Sequence, residues 1–80
     1  MLILVDKRQE TAVSVQKVLT THGGLIKTRL GIHETSDAAA SSSGLIILEL
    51  IGDTPQRTAL KGQLLEINGV QVKLEEMTLG

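Results

Sequence analysis

The sequence predicts an α+β sandwich of ferredoxin-like type, βαββαβ in order, with a four-stranded antiparallel sheet and two helices on one face. Three observations lead there. Residues 1–5 (MLILV) and 45–51 (LIILELI) are short, almost continuously apolar runs, the mark of strands flanked on both sides. Residues 26–33 (IKTRLGIH) and the stretch around Val70, Val72 and Leu74 alternate apolar with polar, as half-exposed strands do. Between them lie two stretches with the three- and four-residue spacing of amphipathic helices.

In chain order, the first strand ends at Asp6, and a helix over residues 7–22 places Thr11, Ala12, Val15, Val18, Leu19 and His22 on one stripe. Gly23-Gly24 stops it, because glycine readily takes the left-handed conformation of a helix C-terminus. The second strand sets Ile26, Thr28, Leu30 and Ile32 against Lys27, Arg29, Gly31 and His33. Residues 35–44 (TSDAAASSSG) are small and polar and read as a mobile hairpin loop. After the third strand, Asp53-Thr54-Pro55 is a good helix start, with Asp or Thr to cap free N–H groups and proline in the first turn. Leu60, Leu64 and Ile67 make its buried stripe, and Asn68-Gly69 ends it before the last strand.

Two right-handed strand–helix–strand units of this kind place the first and third strands at the centre of the sheet and the second and fourth at its edges. The two runs without polar alternation are those assigned to the centre. No second unit is visible, so residues 1–80 read as one domain.

Composition closes several functional classes. A chain of 80 residues buries only ~60% or slightly more of its unfolded surface and relies on metals, disulfides or a partner subunit more often than larger domains do. Cysteine is absent, which removes disulfides, iron–sulfur ligation, thiolate zinc sites and thiol nucleophiles. Eight Lys and Arg against nine Asp and Glu give a net charge of −1 with no run of either sign, unlike a phosphate-binding footprint. With no aromatic residue there is no platform for stacking bases. We expect no direct nucleic-acid contact. The longest apolar run falls far short of the ~20 residues of a membrane span, and Met1 opens straight into a strand-like run without a basic leader. A cytoplasmic protein with no membrane partner is expected.

Because the helices occupy one side of the sheet, a monomer would carry polar residues on the other. Yet whichever set of the first strand faces outward, Leu2 and Leu4 or Met1, Ile3 and Val5, it is apolar, and so it is on the third strand. An apolar strip rimmed by Lys27, Arg29, Gln71, Lys73 and Glu75 has the core-and-rim layout of an interaction surface. A homodimer or higher homo-oligomer is expected, packed sheet to sheet or edge to edge; the alternative is ordinary exposed aliphatic area.

Few residues carry chemistry. His22, at the end of the first helix, suits a capping role. His33 stands beside Glu34 and Asp37, but with no second His or a Cys at ligand spacing it reads as a surface histidine and no metal or cofactor is expected. Ser41 to Ser43 fall in the predicted loop, a poor frame for a nucleophile, and Glu75-Glu76 point to opposite faces of a strand, so no enzyme activity is expected. At the first helix start, Asp6-Lys7-Arg8 combines free N–H groups with two cations suited to a small carboxylate; a solvated helix start is the plainer reading. Gly62, opposite the buried stripe of the second helix, costs ~1 kcal/mol relative to Ala. It reads as drift or as room for another backbone.

Ala59-Leu60, Gly62, Leu64, Ile67, Gly69-Val70 and Val72-Lys73, together with Arg29-x-Gly31-Ile32 ahead of an apolar strand, resemble the iron-only hydrogenase system regulators. The fold of that family is similar to ACT domains and to the C-terminal domain of nickel-responsive regulators. The resemblance implies an ACT-like, non-enzymatic, oligomeric regulatory or sensor domain without an attached DNA-binding domain, acting through a small effector or a protein partner; the alternative is a structural assembly or accessory subunit with no ligand. In ACT-like folds it points to the loop after the first strand. An effector site between subunits is therefore expected near Asp6, Lys7, Arg8, Arg29 and His33, with the arginines facing an anion and Asp6 an ammonium group. Of the ACT turn pattern Asp-x-Pro-Gly only Asp6 is present, and of the several His and the Cys of the nickel site only His33.

Overall fold

A computed structural model describes residues 1–32 and 44–77. The elements run β1 (Leu2–Val5), α1 (Gln9–Thr21), β2 (Ile26–Ile32), β3 (Gly44–Leu50), α2 (Thr54–Leu65) and β4 (Val70–Lys73). The strands form one four-stranded sheet ordered β2-β3-β1-β4, all neighbours antiparallel. The fold is therefore the ferredoxin-like α+β sandwich, with the two almost wholly apolar strands at its centre.

Register decides which side chains meet the helices. Leu2 pairs with Ile47 and Lys73, and Leu4 with Leu45 and Gln71, on one face. Ile3 pairs with Ile46 and Val72, and Val5 with Val70, on the other. Directly opposed residues share a face. The helices cover the second set: Ile3, Val5 and Leu48 form one buried cluster with Val15 and Leu19 from α1 and Leu60 and Leu64 from α2. Ile67 and Val18 pack at its edge. Ala12, expected on the buried stripe, is exposed, because the contact runs along Thr11, Val15 and Leu19 instead.

The helix ends differ in how they are held. Asp53 accepts a hydrogen bond from the Gln56 N–H while the Gln56 side chain accepts from the Asp53 N–H, each at 2.9 Å, a reciprocal capping box with proline in the first turn. Gly23 and Gly24 do not take the left-handed conformation expected of them. Helix α1 tightens into a 3₁₀ turn over Gly23–Leu25, where the Leu25 N–H reaches the His22 carbonyl at 2.9 Å, so the helix is closed without positive φ. Among the described residues the left-handed glycines are Gly52 and Gly69.

Strand β2 also departs from simple alternation. Ile26 pairs with Leu50, but the next partners are Thr28 and Glu49, so Lys27 is the extra residue of a bulge and the phase of the strand inverts across it. Ile26 consequently packs toward the helices, whereas Thr28 and Leu30 stand on the opposite face with Glu49 and Ile47. Arg29 moves the other way. Opposite buried Leu48, it lies at the exposed margin of the helix-covered side rather than on the rim of the open face. Among the described residues no helix is long and apolar enough to cross a membrane.

Candidate functional site

Two places in the fold hold the residues of interest: the sheet face that no described element covers, and the corner where β1 leads into α1.

The open face is aliphatic at its centre. Leu2 and Leu4 on β1 are 40% and 39% exposed, Leu45 and Ile47 on β3 are half-buried beside them, and Leu30 on β2 is 54% exposed. Around this strip lie Gln71 and Lys73 on β4, with the Lys73 ammonium 4.0 Å from Glu75, and on the other side Glu49, which accepts from the Thr28 hydroxyl at 2.9 Å and sits 3.7 Å from Lys27. The expected rim is thus present in Lys27, Gln71, Lys73 and Glu75, Arg29 leaves it, and Thr28 and Glu49 join it. Glu49 was the available signal. A lone carboxylate inside LIILELI marks the odd-numbered set of β3 as the outward one, because an unpaired charge does not face a core.

At the corner, Asp6 and Arg8 are tied to one another and to the turn before β4. The Asp6 carboxylate accepts from the Arg8 N–H at 3.0 Å and from Arg8 Nε at 2.8 Å, while the far end of the guanidinium donates to the Asn68 carbonyl at 3.2 Å. The Asp6 N–H donates to the Gly69 carbonyl at 2.9 Å. Gly69 is required there twice over: its φ is +88°, and a Cβ would lie 2.0 Å from the Asp6 carboxylate. Partial desolvation pushes the Asp6 carboxyl up. Hydrogen bonds from the Thr11 hydroxyl, the Arg8 N–H and the guanidinium, with the guanidinium's charge, outweigh it and hold the group below its ordinary value.

Thr11 is the one residue here whose role its position on the helical stripe concealed. It is buried, and its hydroxyl is among the groups that hold the Asp6 carboxyl below its ordinary value. The helix start that looked ready for a carboxylate already faces the chain's own.

The remaining singled-out residues are scattered within one chain. Lys7 is exposed beside the corner. Arg29 stands opposite Leu48, whose N–H bonds the Met1 carbonyl at 2.9 Å, so it is level with the far end of β1 and two strands away; strand spacing puts its backbone roughly 19 Å from Asp6. His33, with Glu34, Asp37, Ser41 to Ser43 and all of the predicted loop over residues 35–44 except Gly44, which opens β3, lies outside the described residues. His22 closes α1 and its Nε2 meets the Gln63 Oε1 of α2 at 3.1 Å, a tie between the helices. A Cβ on Gly62 would meet nothing within 4 Å in this chain, so whatever the glycine accommodates is not a described part of the chain itself. Among the described residues no three His, Asp or Glu cluster as a metal would require.

What the fold and the open face define is a small ferredoxin-like α+β module with an apolar strip displayed on its sheet. The TM1266-like family, described as "Iron-only hydrogenase system regulator, putative", matches residues 1–74, and the chain belongs to that family. Its fold is shared with the solved structure of the uncharacterized protein TM1266 from Thermotoga maritima, which is 29% identical, superposes with a TM-score of 0.79 and covers 90% of this chain and 85% of its own. No curated protein matches the chain.

Proposed function

We propose that the protein is a non-enzymatic regulatory module that works as a homo-oligomer, its open sheet face forming the subunit contact. The observation that carries this is the aliphatic strip of Leu2, Leu4, Leu30, Leu45 and Ile47, which the two helices leave uncovered in a member of a regulator family. Exposed apolar area with a charged rim favours association over solvation. Light scattering at micromolar concentration checks it: a mass of at least a dimer is expected, and a monodisperse monomer contradicts the reading.

The effector site belongs between subunits, near Asp6, Lys7, Arg8, Arg29 and His33. Arg29 is remote from Asp6 within one chain and lies on the helix-covered side, so a site that joins them needs a subunit contact other than the open face, as in a higher homo-oligomer. An anion facing the arginines is the effector chemistry these residues support.

The internal pairing of Asp6 with Arg8 and Thr11 favours a second reading, a structural subunit that binds no ligand. A thermal-shift screen of amino acids, metals and nucleotides separates the two, since a ligand selective for the folded state raises its apparent stability. A compound that raises the melting temperature in the wild type but not in Arg8→Ala, Arg29→Ala supports the site. No shift with any compound supports the structural subunit.

A further inference from the structure

Resting on the homo-oligomer reading above, we propose that two copies stack face to face about a two-fold axis running along the strands, so that β3 of each chain lies over β1 of the other and each β2 edge over the partner's β4 edge. The partner is a second copy of this chain, and the relief and charge of the face choose the arrangement.

The edges are poor partners. β2 is bent by the bulge at Lys27, and β4 is only four residues long; bulged and short edges are devices that discourage strand addition. The face offers more. At ~3.3 Å per residue and ~4.8 Å between strands it has a footprint of roughly 350 Å² per chain. Corrugated by projecting side chains, this presents on the order of 500 Å², and two copies bury about 1,000 Å², the lower bound for a specific interface. Association is therefore reversible rather than obligate.

Two symmetric stackings are open to aligned sheets. A two-fold axis across the strands lays each strand on its own copy: the more exposed leucines of β1 meet each other, and Lys73 meets the partner's β4 edge with its like charge. An axis along the strands sets exposed Leu2 and Leu4 over the half-buried Leu45 and Ile47 of the partner. It also carries Lys73, itself beside Glu75, away from the partner's Lys73 and onto the half of the partner's face that holds the Glu49–Lys27 pair, and the same juxtaposition recurs on the other side of the axis. More exposed leucines are then paired with less exposed ones, and the two Lys73 ammonium groups are kept apart.

Leu30 and Lys73 lie on the same row across the sheet, at opposite edges, through Ile47 and Leu2. In the proposed dimer Leu30 of one chain faces Lys73 of the other across about 10 Å, whereas two Leu30 or two Lys73 positions are roughly 17 Å apart. The chain contains no cysteine, so single thiols can be placed cleanly. Leu30→Cys and Lys73→Cys chains, both at exposed positions, are mixed and treated with a short bismaleimide, then each is treated alone. Crosslinking in the mixture and little in either variant alone is expected, with loss of the product when Ile47→Lys is added to both. Self-crosslinking of Leu30→Cys overturns this arrangement while leaving the dimer standing, because it places β2 against β2. A dimer that crosslinks in no combination overturns the face as the contact, and a monomer by light scattering removes both this arrangement and the reading beneath it.

Discussion

Ile3 and Val5 are 0% and 6% exposed against the helices, while Leu2 and Leu4, their neighbours in the same strand, are left at 40% and 39% on the other face. The two sides of β1 are equally aliphatic in sequence but unequal in environment. A folded monomer accounts for only one of them. Burying apolar area is worth about 25 cal/mol per Å², and the helix layer collects that gain on one side alone. The composition of the other side is explained when a second surface covers it.

Truncating either face breaks the comparison in different ways. Leu60→Ala removes a fully buried side chain from the helix layer and is expected to cost about 2–5 kcal/mol, a large share of what a chain of this size possesses; the denaturant midpoint measures it. Leu4→Ala on the open face should change the stability of the isolated chain by less than about 1 kcal/mol while weakening self-association. A comparable loss of chain stability from both substitutions would show that the open face is core by another name.

The loop ends give smaller effects than the helix-layer core. Gly69→Ala forces a Cβ onto the Asp6 carboxylate at a positive φ and should destabilise by about 1–3 kcal/mol. Asp53→Ala removes the side-chain half of the capping box on α2, a loss of about 1 kcal/mol. Thermal or chemical denaturation checks both, and the order matters: the glycine should cost more than the cap.

The fold was legible because its signals are local. Apolar runs, an Asp-Thr-Pro helix start and three- and four-residue spacing each declare an element without help from the rest of the chain. The β2 bulge declares nothing. IKTRLGI alternates as though in one phase, and only pairing with β3 shows that Lys27 is extra and that Arg29 belongs to the helix-covered side. The corner was half legible. Asp6 and Arg8 were visible as charges at a helix start, but their pairing with each other was not, nor was the guanidinium's hold on a turn some sixty residues away, where Arg8 reaches the Asn68 carbonyl with a separation of 60.

That corner yields the smallest predicted effect, one of pH. The Asp6 carboxyl titrates below its unfolded value when folded, so the folded state binds fewer protons in the acid range. Its contribution is complete above the ordinary carboxylate pKa of about 4 and disappears as pH falls through the lower folded value. Asp6→Asn should flatten the loss of stability on acidification relative to wild type, as followed by urea midpoints. Identical acid slopes in the two proteins would remove Asp6 from the account.

The account stands most directly on whether the open face is an interface. Light scattering of the wild type beside Ile47→Lys and Leu4→Lys, with circular dichroism to show that each variant is folded, makes the test. An unpaired lysine at an apolar contact opposes association strongly. The wild type is predicted to have at least the mass of a dimer at micromolar concentration and both folded variants to shift toward monomer; a monomeric wild type, or folded variants that keep its mass, would contradict the account.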